Sequence, residues 1–322
     1  MSEPSRWSLV EAAEAVAAKR ISSCELLDIC LARIERLQPL LNCFIGLDAE
    51  RARRTAKAAD AALARGGVLG PLHGVPLAHK DMYYRAGRVS TCGSRIRRDF
   101  VPDHTATALE RLDAAGALDL GGLNMAEFAV GPTGHNIHWG HCRNPWNPDY
   151  VTGGSSSGAG SAVAGRLVFG ALGSDTGGSV RLPASMCGLV GIKPTQTRVS
   201  RYGTMGLSFS LDNVGPLART VRDAARLLRV VAGHDPHDPT GSRVPVPAIA
   251  ETDIGDGPEM GRVIGSLTHC TRTIYYLGLP SVSVPAGFQP IGRPFAEARL
   301  LRVAAAYEAA AGWVTREPAL AA

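Results

Sequence analysis

Stretches with an apolar residue every three to four positions alternate along this chain with short continuous apolar runs, a pattern that predicts helices interleaved with buried strands. Ser8 with Glu11 and Ser22 with Glu25 have the spacing of capping boxes ahead of apolar periodicity, and Leu27, Leu31 and Ile34 then share one helix face. An Ala- and Arg-rich helix is predicted over about 48–65, stopped by Gly66-Gly67. HGVPLAHKD (73–81) reads as a short buried strand running into a loop, a helix follows near 105–115, and ALDLGGLN reads as another strand. Residues 129–154, rich in Gly, Pro, Asn and His, predict a long structured loop. GSAVAGRLVFGALGSD predicts helix and then buried strand, with further helices at about 219–232 and 296–311. Strands alternating with helices imply a layered α/β architecture, and no internal repeat is visible.

Composition narrows the class. The 322 residues are 45% apolar and 20% charged, which is ordinary for a globular chain and enough for a sizeable core. The net charge of +5 is scattered; the densest basic runs, RARR (51–54) and RIRR (95–98), are short and lack interleaved aromatics, so a nucleic-acid partner is not expected. Seven cysteines stand singly at 24, 30, 43, 92, 142, 187 and 270 with no C-x-x-C pair, arguing against a disulfide framework or a zinc site and for reduced thiols in a cytoplasm. The first residues turn straight into an amphipathic helix, with no basic and apolar leader pattern, and no run of eighteen apolar residues predicts a membrane span. Only four of the 34 basic residues are lysine, at 19, 57, 80 and 193, so a lysine in a chemical context is conspicuous.

Two Gly-Ser clusters carry the candidate chemistry: TGGSSSGAG (152–160) and GSDTGGSVRLPAS (173–185). A flexible linker is one reading, but the first cluster lies between apolar elements and leads into a helix-like segment. A dinucleotide loop is a second, from the spacing of Gly154, Gly158 and Gly160; such a loop must follow a strand, and NPWNPDYV, with two prolines, forbids a central one. The third reading joins Lys80, Ser155 and Ser179. A serine nucleophile needs a base, arginine cannot serve, and a lysine can if burial among Val75, Pro76, Leu77 and Ala78 lowers its pKa. Ser155 then relays the proton, and Thr176, Gly177 and Gly178 form an oxyanion loop whose bare backbone lets a carbonyl approach.

These residues resemble the amidase signature family. GGSSSG, DTGGSVRLPA twenty-four residues on from serine to serine, and the upstream GVPLAHKD match its pattern, and RNPWNP, LDNVGPLARTV and GLPSVSVPAGF are further family-like blocks. The resemblance implies a Ser-cisSer-Lys triad, with Ser179 as nucleophile, Ser155 after a cis bond from Gly154 as relay, and Lys80 as base. It implies hydrolysis of a small-molecule amide through an acyl-enzyme, without metal or cofactor. The expected fold is a mixed, mostly parallel β-sheet sandwiched between layers of helices. Asp175 and Arg181 are expected to brace the loop, Lys193 to be structural, and His135, His138 and His141 to pack the loop rather than hold a metal. A single amidase domain is expected over 1–322: a helical part (1–65), a signature core (66–235) and a C-terminal part (244–322). Relatives carry more sequence near 243–247 and at Phe288–Gln289, so part of the C-terminal half is expected to be absent. The alternatives to a stand-alone amidase are a shortened, impaired relative and the glutamyl-tRNA amidotransferase A subunit, although GPTGHNIHWGHCRNPW departs from the loop usual there. A homodimer is left open.

Overall fold

Both capping boxes form. Ser8 caps α1 (Leu9–Ala17) and Ser22 caps α2 (Ser23–Leu41), each hydroxyl accepting from the backbone of a glutamate that reaches back to the cap N–H. The computed structural model describes residues 3–67, 69–246, 280–285 and 289–321. Pro247 and Phe288, at the two junctions where sequence was expected to be absent, lie outside the described residues, as does Cys270.

After β1 (Phe44–Leu47) and α3 (Ala49–Ala64) come β2 (Pro76–Lys80), α4 (Thr107–Ala114) and β3 (Leu118–Leu123). The second half adds α5 (Ser157–Ala164), β4 (Gly170–Asp175), α6 (Arg181–Met186), β5 (Val190–Lys193), β6 (Asn213–Ala218), α7 (Val221–Val231), β7 (Ser281–Ser283) and α8 (Glu297–Ala311). The seven strands form one mixed sheet in the order β1-β3-β2-β4-β6-β5-β7. Parallel pairing is confined to β2 with its two neighbours, β3 and β4; the remaining ladders among the described residues run antiparallel. The expectation of parallel strands therefore holds at the centre of the sheet. It does not extend outward, because the chain crosses over from β4 through α6 to β5 and then turns back, so that β6 enters between those two strands and runs opposite to both. The elements not foreseen, β1, β5, β6, β7 and α6, are short, and their apolar runs are too brief for periodicity to register.

Every residue of β2, β3, β4 and β6 is buried, as strands covered on both faces require. α5, also buried throughout, crosses β2, β3, β4 and β6 with α6 beside it; α7 lies on β4, β5 and β6 and is backed by α1, α4 and α8. No helix among the described residues is long and apolar enough to cross a membrane.

The α2 box is solvent-exposed and isolated from the core, which makes it a clean test of local stabilisation. Replacing Ser22 by Ala is expected to destabilise the protein by about 1 kcal/mol, read as a lower urea midpoint with unchanged slope.

Candidate active site

β2 and β4 run parallel in register, with Ala78 opposite Ala171 and His79 opposite Leu172, so their C-terminal ends, Lys80 and Ser174-Asp175, emerge side by side. That edge is where open α/β sheets present functional groups. Lys80 Nζ lies 2.7 Å from Ser155 Oγ and 2.8 Å from Ser174 Oγ. Lys80 is 1% exposed, and Ser155 and Ser174 are buried with it. Loss of hydration disfavours the charged amine and lowers its pKa to about 7, against the opposing pull of Asp175, Asp212 and Cys92. Ser174 was not singled out by the sequence. A serine inside a buried strand carries no distinguishing pattern, and only the register of β4 against β2 brings it to the lysine.

The Gly154–Ser155 peptide is cis. Glycine is required at 154 by space: a Cβ there would meet Gly134 N at 2.4 Å and Gly131 O at 2.7 Å. The Gly154 N–H donates to Pro132 O at 2.7 Å and the Ala126 N–H to Ser155 O at 3.1 Å, so the long 129–154 loop is clamped where it delivers Ser155.

Asp175 organises the second cluster. Its carboxylate accepts from the N–H of Gly178 at 2.9 Å, of Val180 at 3.3 Å and of Arg181 at 3.4 Å, and from Arg181 Nε and Nη2 at 2.9 and 3.1 Å. Asp175 and Arg181 thus take the bracing positions expected of them, both buried. Gly178 adopts φ +125°, a conformation side chains rarely reach, which turns the chain into Ser179. Of the three expected oxyanion residues, Gly178 therefore has its N–H engaged by Asp175. At Gly177 a Cβ would meet nothing within 4 Å, so the loop is open on that side. Thr176 Oγ1 donates to Asp212 Oδ1 at 2.5 Å.

Ser179 is tied to the first cluster through backbone: the Ser156 N–H donates to Ser179 O at 3.3 Å. Lys80 and Ser155 are brought together directly, whereas Ser179 is joined to them through its backbone carbonyl. Lys193 is fully buried and donates to Pro194 O at 2.9 Å; burial lowers its pKa to about 8. His138 Nε2 lies 2.9 Å from Glu127 Oε1, His141 Nδ1 accepts from Asn136 N at 3.1 Å, and His135 stacks on His141 with centroids 4.5 Å apart. Among the described residues no group of three or more metal-ligating side chains is assembled.

The fold and the paired Gly-Ser clusters are those of one family. The Amidase family profile matches residues 25–267, and the chain belongs to that family. It is 52% identical over 241 residues to the glutamyl-tRNA(Gln) amidotransferase A subunit of Anaeromyxobacter dehalogenans strain 2CP-C, a match covering 75% of this chain and 49% of that protein. The chain thus spans about half the length of the curated relatives it matches. Among solved structures it is similar to the peptide amidase of Stenotrophomonas maltophilia, with 36% identity, a TM-score of 0.72, and coverage of 77% of this chain and 52% of that one. A bacterial aryl acylamidase of the amidase signature family matches with 33% identity, a TM-score of 0.72, and coverage of 78% and 52%.

The Lys80 amine titrates near 7 in the folded protein against an ordinary value of 10.5. Between those values the unfolded chain holds the extra proton, so this group makes stability rise with pH across that window and gives no further rise above it. Lys80→Met is expected to flatten the increase in urea midpoint between pH 7 and pH 10 relative to the parent.

Proposed function

We propose that the chain hydrolyses a carboxylic amide to the acid and ammonia or an amine, with Ser179 as nucleophile, Ser155 as proton relay and Lys80 as base. The observation that carries this reading is the buried lysine amine, 2.7 Å from a serine hydroxyl, on the loop whose backbone is bonded to Ser179. A neutral Lys80 has one lone pair to accept the Ser155 proton. Ser155 can then accept the proton of Ser179 as its oxygen attacks the carbonyl carbon. Apo geometry often leaves such a final contact open until substrate is present.

The tetrahedral intermediate places negative charge on the former carbonyl oxygen. With Gly178 N–H held by Asp175, the N–H groups of Gly177 and Ser179 are the proposed donors to it, and Thr176 and Gly178 shape the loop that aims them. Collapse breaks the C–N bond as the proton returns along the relay to the leaving nitrogen. Water then attacks the Ser179 ester by the same route, restoring the hydroxyl and releasing the acid. Asp175 and Arg181 hold the loop, and no step needs a metal ion or a cofactor.

A second reading, an amidotransferase component working with partner chains, is favoured by the 52% identity to the Anaeromyxobacter protein. Stoichiometric partner chains co-purifying from the native host would support it; amide turnover by the isolated chain favours the first.

Treatment with a fluorophosphonate followed by peptide mass spectrometry is expected to place the adduct on Ser179. Ser179→Ala should abolish both adduct and turnover, and Lys80→Ala should slow turnover by about a thousandfold. In the parent, turnover should rise as pH increases through about 7, where the Lys80 amine loses its proton. Full turnover by either variant overturns the assignment.

A further inference from the structure

A cavity of about 440 Å³ opens beside the glycine loop, walled by Arg201, Tyr202, Phe209, Asp212, His237 and Asp238. Two sets of contacts attach it to the site already described. Asp212 accepts the Thr176 hydroxyl on one carboxylate oxygen; on the other it accepts the N–H groups of Leu207 and Ser208 at 2.8 and 2.9 Å. One buried carboxylate therefore joins the cavity wall to the segment that leads into Ser179. The Tyr84 N–H donates to Gly203 O at 2.8 Å and the Met205 N–H to Met82 O at 3.0 Å, which stitches the cavity floor to the chain leaving Lys80.

The charged groups in the wall already have partners. Arg201 Nε lies 3.6 Å from Asp238 Oδ2, and its guanidinium packs over the Phe209 ring at 4.8 Å and donates to the Phe209 carbonyl. His237 Nδ1 lies 3.1 Å from Asp235 Oδ1. Both oxygens of Asp212 are taken, as above. The surface left to meet a ligand is aromatic. Tyr202 stacks between His104 and His237 with centroids 5.1 and 5.0 Å away, and Phe209 is 70% exposed at the rim. A cavity of about 150 Å³ already admits benzene, so this one has room for a ring with its substituents.

We infer that this cavity receives an uncharged aromatic group of the amide substrate, and that Asp212 is a positioning residue holding the cavity wall in register with the glycine loop. The inference rests on the amide-hydrolysis reading and adds its substrate class. An anionic group would have to break the Arg201–Asp238 pair to find a counter-charge, and a cationic one would have to draw Asp238 or Asp212 away from donors they already hold. A flat neutral ring gains contact with Phe209, Leu207, Pro239 and the edge of Tyr202 at no such loss.

The test compares kcat/KM for benzamide, acetanilide and butyramide. The parent should prefer at least one of the two aromatic amides, and Phe209→Ala should shrink the aromatic-to-alkyl ratio about tenfold, the size of one lost aromatic contact. Phe209 is mostly exposed, so its removal leaves the core intact. Asp212→Asn should lower kcat for aromatic and alkyl amides alike with little change in KM, and Thr176→Ser, which keeps the hydroxyl, should retain the parent rate. An aromatic-to-alkyl ratio that Phe209→Ala leaves unchanged overturns the cavity assignment. An effect of Asp212→Asn on stability alone overturns the positioning role. Binding of acetophenone, an uncleavable analogue of benzamide, is measured by saturation-transfer NMR on the Ser179→Ala protein, so the outcome does not depend on turnover. Binding that Phe209→Ala removes supports the inference; no binding, or binding that survives the change, rejects it. Absence of fluorophosphonate labelling in the parent rejects the hydrolysis reading separately.

Discussion

A primary amine sealed away from water must be met by hydrogen-bond acceptors or by counter-charge, and at Lys80 two serine hydroxyls meet it. The requirement fixes much around it. Ser174 reaches Lys80 only because β4 lies parallel to β2 in one register, and Ser155 only because the Gly-Ser loop is held close enough that position 154 has no room for a side chain. Burial also brings the amine's pKa to about 7, so that a residue ordinarily cationic can be neutral at physiological pH. Placement and protonation state have the same origin.

Asp175 does for the second serine what the sheet does for the lysine. It ends β4, so its backbone belongs to the rigid centre, while its carboxylate gathers three N–H groups and a guanidinium from the following turn. A loop of glycines would ordinarily lose much conformational entropy on ordering. Here one buried side chain opposes that loss, and α6 begins directly beyond it at Arg181. The carboxylate also decides which N–H groups remain available, a distinction the residue types alone do not make.

What the sequence disclosed follows the range of the interactions involved. The capping boxes and the strand over 76–80 are local, and they stand where the pattern put them. The two Gly-Ser clusters, together with GVPLAHKD, carry a family resemblance that leads one to expect Lys80 beside Ser155, and the two are in contact. Ser174 and Asp212 were not legible, since each acquires its partners from chain distant in sequence. The antiparallel outer strands escaped notice for a related reason: runs of four to six buried residues, some broken by glycine or proline, look alike whether they pair up or down.

The scarcity of lysine has a practical side. Two of the four are interior, Lys80 and Lys193, while Lys19 and Lys57 are exposed on the helical N-terminal part. Amine-directed dyes, resins and crosslinkers will therefore find their side-chain targets at those two positions, so the molecule can be tethered or tagged through lysine with its candidate base out of the reagent's reach.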